Sequence, residues 1–330
     1  MQKVLSVSVA AYNVQEFIRQ CLDSFLDEAI LDRVEVLVTD DGSKDRTAEI
    51  VAGYEKQYPG TFRLISQKNA GPGSTVNSGL AHATGKYFRM VDGDDWVNTQ
   101  EMGKFLDALE KTEADMVCTN YCQVDHETGQ IQPVTLNREP CSMAPFEVLC
   151  PGLSLSMHNV TYRTALLKEN HIHLDNGFYT DAEYLLFPIP FVKTAGILDL
   201  DIYQYRVSLS TQSMNIKSLQ KNMEMHRTVL NHLVEAFANF APNAQPNTAR
   251  FMARSIAGMA GMQLYIYLSL ADVKGYQTVT RQMMAEIRQK SPALYRQVNQ
   301  APTFRLLAWS RFALFPWFAA RQQKKLGLKA

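Results

Sequence analysis

The sequence predicts an α/β fold: a mostly parallel sheet flanked by helices, followed by a helical C-terminal subdomain. Three observations carry that expectation. Short β-branched runs alternate with helically spaced apolar residues through the first third of the chain. Two of the runs end in acidic turns, and open α/β sheets bind ligands beyond the carboxyl ends of their strands. From about Ser218 onward only helical periodicity remains.

Residues 4–9 form the first apolar run, and residues 14–26 space Val14, Phe17, Ile18, Cys21, Leu22 and Phe25 as a helix does. Residues 34–39 predict a second strand, closed by Asp40-Asp41-Gly42-Ser43. A helix over 48–58 follows and stops at Pro59-Gly60. Residues 62–66 predict a third strand. Gly71-Pro72-Gly73-Ser74 opens a helix over 75–83, and residues 87–91 form a fourth strand closed by Asp92-Gly93-Asp94-Asp95. A helix over 101–111 and a strand over 115–119 continue the alternation. Residues 120–158 are polar and turn-rich and are expected as an excursion over the site. Residues 174–190 carry Asp181 and Glu183 ahead of an apolar helix, and 197–206 predicts a late strand. Helices are expected over 223–240, 248–271 and 279–287, so the chain divides into residues 1–215 and 216–330.

Composition is that of a globular protein, with 46% hydrophobic and 20% charged residues. Lys plus Arg (33) balances Asp plus Glu (33), but the balance conceals a split. No acid follows Glu286, whereas nine of the bases do, leaving 24 bases against 33 acids in residues 1–286. Bases confined to one short tail argue against a nucleic-acid partner. Five cysteines show neither disulfide framework nor zinc spacing, and no signal segment precedes the first strand, so a cytoplasmic location is expected. The uncharged stretch 255–271 is shorter than the roughly 20 residues of a membrane span and contains Gln263, so it predicts a buried helix.

Asp92-Gly93-Asp94-Asp95 is the strongest chemical feature. Carboxylates crowded on one turn repel each other unless a cation compensates, and oxygen-only ligands favour Mg²⁺ or Mn²⁺. A solvated turn capping the next helix is the competing explanation. At the second acidic turn, Asp41 and Ser43 fit an Asx turn, while Asp40 ends its strand and is placed to accept a hydrogen bond from a ligand. The Gly71-Pro72-Gly73 turn before a helix is expected to offer backbone N–H groups to phosphate. His158, His171 and His173 are candidate completions of a metal shell, and His158 alternatively lines an acceptor pocket.

Six motifs in register give a specific resemblance: Ala11-Tyr12-Asn13, Asp40 to Ser43, Asn69 to Gly73, Asn77-Ser78-Gly79, Ala83 to Tyr87 and Val91 to Trp96. Together they resemble the inverting family 2 glycosyltransferases of GT-A fold found in bacterial polysaccharide synthesis. The likeness is dense over residues 3–120 and thinner through 159–167, 179–184 and Tyr205-Arg206. It implies a nucleoside-diphosphate sugar donor, UDP-linked in the first instance. The acceptor is expected to be a cell-envelope or exopolysaccharide glycan, growing or lipid-linked, taking a hexosyl or N-acetylhexosaminyl group. By that resemblance Ala10, Tyr12 and Asp40 hold the nucleobase, Lys68, Asn77, Asp92 and Gly93 face the rest of the donor, and Asp94 binds the metal. Asp181 falls at the position of the general base. Relatives carry Glu-Asp there; this chain has Thr180 before Asp181, which leaves Glu183 as a rival. Val76 stands where many relatives carry arginine, so Lys68, the metal, or Arg206 beside a loop at 208–213 must neutralise the diphosphate.

Two other functions remain open on sequence: a nucleotidyltransferase consuming a nucleoside triphosphate, and a non-catalytic scaffold. The tail over 304–325 interleaves bases with Trp309, Trp317 and Phe318 and is broken at Pro316. That is the composition of a peripheral anchor on the inner face of the plasma membrane, or of a helix packed on the domain or on a second subunit in a homodimer.

Overall fold

The computed structural model describes residues 3–209 and 215–328. The chain forms two compact units, Met1–Thr211 and Gln212–Ala330.

In the first unit, β1 (Leu5–Ala11), β2 (Val34–Asp40), β3 (Phe62–Ser66) and β4 (Tyr87–Asp92) lie in the order β3-β2-β1-β4. All are parallel, as expected. The crossovers contain α1 (Ile18–Asp23), α2 (Glu28–Leu31), α3 (Thr47–Gln57) and α4 (Pro72–His82). Strands covered on both faces are buried along their length, and in β1, β2 and β4 burial does not alternate even where Ser6, Ser8 and Arg89 interrupt the apolar run. Register carries these strands to one ligand-facing edge: Ala11 pairs with Asp40, and Ala10 with Asp92.

Beyond β4 the sheet is mixed. After β5 (Trp96–Val97) and α5 (Thr99–Lys111) come β6 (Met116–Asp125), β7 (Ile131–Val134), β8 (Cys141–Pro145), α6 (Phe146–Leu149), β9 (Val160–Arg163), α7 (Thr164–Glu169), α8 (Thr180–Leu186) and β10 (Thr194–Val207). The order continues β4-β9-β6-β10-β5, with β7 on β6 and β8 on β10. The excursion expected over 120–158 is partly sheet: β6 runs on to Asp125, and β7 and β8 are edge strands whose exposed side explains their polarity. Asp125 closes the β6–β7 hairpin by accepting from Glu127 N and Thr128 N. Because β9 is antiparallel to both β4 and β6, and β10 is parallel to β6, the carboxyl ends of β4, β6 and β10 share one edge.

Asp115, just before β6, ties this half together. One carboxylate oxygen takes Lys193 N (2.9 Å) and Thr194 N (3.0 Å), and the other takes Arg163 Nη2 (2.6 Å). A buried acceptor serving three segments is costly to remove.

The second unit contains α9 (Ile216–Lys221), α10 (Met223–Phe240), α11 (Pro246–Leu268), α12 (Val273–Lys290), α13 (Pro292–Val298), α14 (Pro302–Trp309) and α15 (Phe315–Lys325). The uncharged stretch forms α11, buried among α10, α12, α13 and α15. Its Gln263 is satisfied by His226 at 2.6 Å. Among the described residues no helix is long and apolar enough to cross a membrane.

Asp115→Ala is expected to lower stability by about 3 kcal/mol in urea unfolding, with Asp115→Asn, which keeps one acceptor oxygen, losing less.

Candidate active site

The edge where β1 and β2 end is laced from two loops. Asn13, at φ 53, accepts from Lys44 N (2.8 Å) and donates its own N–H to Ser43 Oγ (2.9 Å). Asp45 takes Gln15 N and Thr47 N. Tyr12 stands exposed at this edge. Asp40 is buried at the end of β2, where both its oxygens lie 3.3 Å from Ser43 N. Asp41 makes a different contact from the Asx turn expected of it: it accepts from Gln67 Nε2 (2.8 Å), Ala70 N (2.9 Å) and Gly71 N (2.8 Å) of the loop after β3. Lys68 is exposed in the loop between β3 and α4.

The acidic turn follows β4. Gly93 N donates to Ala10 O at 2.9 Å, and a Cβ on Gly93 would stand 2.7 Å from that oxygen, so only glycine lets the turn close on β1. The carboxylates of Asp92, Asp94 and Asp95 come within 4.8 Å of one another. Asp95 is turned inward, accepting from Tyr203 Oη (2.6 Å) and Arg206 N (2.7 Å). Asp92 N donates to the same phenol at 3.2 Å. The guanidinium of Arg206 lies 4.9 Å from the Phe17 ring centroid and 4.7 Å from that of Trp96. It donates to Asp94 O (2.8 Å) and Gln20 Oε1 (2.6 Å). This corrects its expected place as a loop cation: stacking and turn-bracing occupy its planar group. The rest of that loop, residues 210–214, lies outside the described residues.

Burial, the Asp94 charge and the Asp181 charge push Asp92 up to about 7. Burial also raises Asp94, and burial with its two neighbours raises Asp95 well above the carboxylate range. Asp181 opens α8 just after Tyr179, which is left-handed at φ 69. Asp181 is exposed, yet the protein packed around its carboxyl raises it too by desolvation. Its rival Glu183 is fully buried and accepts from Asp175 N at 2.7 Å. Asp181 is thus exposed with its charge felt at Asp92, while Glu183 is directed into the fold.

Three of the expected groups are engaged within the protein. The Asn77 amide has a partner there: it accepts from Leu174 N (2.9 Å) and donates to Leu174 O (2.8 Å). The glycines of the Gly71-Pro72-Gly73 turn serve chain packing. A Cβ on Gly73 would lie 1.7 Å from Asp175 O, and one on Gly71 1.9 Å from Asn176 O. Carbonyls therefore crowd the face expected to receive phosphate. His158 stacks on Tyr205 (4.4 Å, 24°) and abuts Tyr203 and Tyr121, and burial lowers it to about 3. Among the described residues, neither it nor His171 nor His173 joins a metal-type cluster. Sequence reasoning missed Tyr203 altogether; its place on the alternation of a late strand is its only local signal.

A mixed α/β sheet with acidic turns at its ligand-facing edge is the architecture of a GT-A glycosyltransferase, and comparison agrees. The sequence model of Glycosyl transferase family 2 matches residues 6–170, half of the chain, and the protein belongs to that family. It is 26% identical over 243 residues to the putative glycosyltransferase EpsH of Bacillus subtilis, covering 68% of this chain and 67% of EpsH. It is 34% identical over 134 residues to EpsJ of the same organism, an uncharacterized glycosyltransferase; that match covers 40% of this chain and only 38% of EpsJ. The fold matches S. aureus TarS 1-349 in complex with UDP-GlcNAc at TM-score 0.68 and 20% identity, covering 98% of this chain and 92% of that one. A mannosyltransferase of Pyrobaculum calidifontis, in complex with GDP-Man and Mn²⁺, shares the fold at TM-score 0.50 and 15% identity, covering 98% of this chain and 87% of that one. The chain is a glycosyltransferase.

A carboxyl raised on folding contributes stability that is full below its unfolded value near 3.9 and is lost as pH rises through its folded value. In EDTA the melting temperature is therefore expected to fall between about pH 4 and about pH 7. The share of that loss from Asp92 is at most about 4 kcal/mol. Asp92→Asn should flatten that slope in calorimetry.

Proposed function

We propose that the enzyme transfers a hexosyl or N-acetylhexosaminyl group, with inversion, from a nucleoside-diphosphate donor, UDP-linked in the first instance. The acceptor is a hydroxyl of a growing or lipid-linked cell-envelope or exopolysaccharide glycan. We assign the reaction to residues 1–215, with 216–330 as a helical subdomain, and to the cytoplasm. The observation that carries the proposal is the cluster of Asp92, Asp94 and Asp95 carboxylates within 4.8 Å of one another where β4 ends.

In this scheme Ala10, Tyr12 and Asp40 hold the nucleobase, and Asp92 and Gly93 face the ribose and diphosphate. Lys68 is the remaining cation of the donor loop, since Val76 is buried in α4. Three carboxylates within 4.8 Å make an oxygen-only donor set that fits Mg²⁺ or Mn²⁺, held by Asp94 with Asp92. When bound, such a cation neutralises charge developing on the departing diphosphate. Asp181 accepts the proton of the acceptor hydroxyl as its oxygen attacks the anomeric carbon. The bond from that carbon to the diphosphate oxygen breaks, and the nucleoside diphosphate leaves with the electron pair. A carboxylate made more basic by desolvation is better suited to this step than a surface one. The nucleotide sugars carried by TarS and by the mannosyltransferase support the donor class.

The test is a thermal-shift screen of UDP-GlcNAc, UDP-Glc and GDP-Man with and without Mn²⁺, followed by transfer assays. A cognate donor at about 100 times its Kd should stabilise by about 2.7 kcal/mol. Asp94→Ala should abolish the Mn²⁺-dependent part of that shift. Asp181→Asn should cut transfer by about 10²–10⁴-fold while donor binding holds; full activity in this variant would sink its assignment as base. Release of pyrophosphate from a nucleoside triphosphate would mark a nucleotidyltransferase instead.

A further inference from the structure

We propose that the exposed faces of α14 and α15 are a docking surface for an anionic lipid bilayer, on which the protein lies without spanning it. The inference goes beyond the transfer reaction and does not depend on it.

Each helix divides cleanly. In α14, Phe304 and Leu307 are buried, while Leu306 is 42% and Trp309 79% exposed. In α15, Phe315, Ala319 and Gln323 point inward, and Trp317, Arg321 and Lys324 lie outward at i, i+4 and i+7. The inward faces are already anchored: Gln323 Nε2 donates to Leu270 O (2.8 Å) and Gln277 Nε2 to Phe312 O (2.8 Å). The two tryptophans are therefore surplus to the unit's own core. The Arg321 guanidinium sits 5.7 Å from the Trp317 ring centroid, which pairs a cation with an apolar ring on the outer face.

Charge selects the occupant. Arg305, Arg321, Lys324 and Lys325 are exposed around these side chains, and no acid follows Glu286. A protein partner would have to present carboxylates in matching positions. An anionic bilayer accepts tryptophan at headgroup depth and lysine or arginine at its phosphates in any register. The preceding 286 residues hold 24 bases against 33 acids, so an anionic surface repels them while attracting the tail. Among the described residues no helix is able to cross, which leaves interfacial attachment.

The full chain should co-sediment with phosphatidylcholine–phosphatidylglycerol vesicles, weakly or not at all with phosphatidylcholine alone, and less at high salt. Lys324→Gln and Lys325→Gln should each lower partitioning about fivefold. Trp309→Ser with Trp317→Ser should lower it further with the melting temperature unchanged. In the unaltered protein, tryptophan fluorescence should be quenched by lipid-borne bromine. Absence of sedimentation, equal binding to both vesicles, or a dimer in sedimentation velocity that these tryptophan substitutions dissolve would each overturn the proposal.

Discussion

Like-charge repulsion on a single turn is the constraint that shapes the ligand-facing edge of this sheet. Asp92, Asp94 and Asp95 crowd together, and burial works against ionising any of them. The protein braces the turn through its backbone. Tyr203 Oη bridges Asp92 N and Asp95, and Arg206 donates to the carbonyl of Asp94 while its charge lowers the Asp94 carboxyl. A bidentate arginine on Asp94 would quench the charge that a cation or donor must meet. Holding the backbone by a cation, and that cation between Phe17 and Trp96, fixes geometry while leaving the outer acids to bind.

The same economy of position joins the donor side to the candidate base. Asn77 grips Leu174 at both ends of its peptide, Glu183 holds Asp175 N, and Gly71 and Gly73 let the chain at 175–176 lie directly on the first turn of α4. The segment leading to Asp181 is thus built onto the helix that follows the β3 loop. Displacing either element by an ångström moves the other, and general-base chemistry tolerates little such error.

The first four strands and their turns were legible because their signals are local. Continuous apolar runs, a glycine that must close a turn and an aspartate at a strand end are all written within a few residues of one another. The bracing of the acidic turn was not. Tyr203 and Asp95 meet across 108 positions, and Arg206 reaches Gln20 across 186. The register of β10 on β5 that permits this has no local marker. Residues 120–158 misled for a related reason: edge strands carry polar, turn-like composition because one side faces water, so composition alone reads them as loop. Asn77 shows the limit of motif logic, since its place in a motif was clear while its partner, Leu174, was not.

Electrostatics beneath the turn completes the account. Arg89, three residues before Asp92 on β4, is fully buried and donates to Thr161 Oγ1 (2.8 Å) and to the carbonyl of His158. Burial lowers it only to about 10, so it keeps its charge at neutral pH. Its guanidinium lies 5.9 Å from the centroid of the Tyr203 ring, whose hydroxyl donates to Asp95. A cation on one side of an aromatic ring and an acid on its hydroxyl polarise the phenol in the same sense. His158, kept neutral by burial and by that same Arg89 charge, adds no second cation to the layer. The sheet therefore sets one fixed positive charge at the Tyr203 ring and the acidic turn at its hydroxyl.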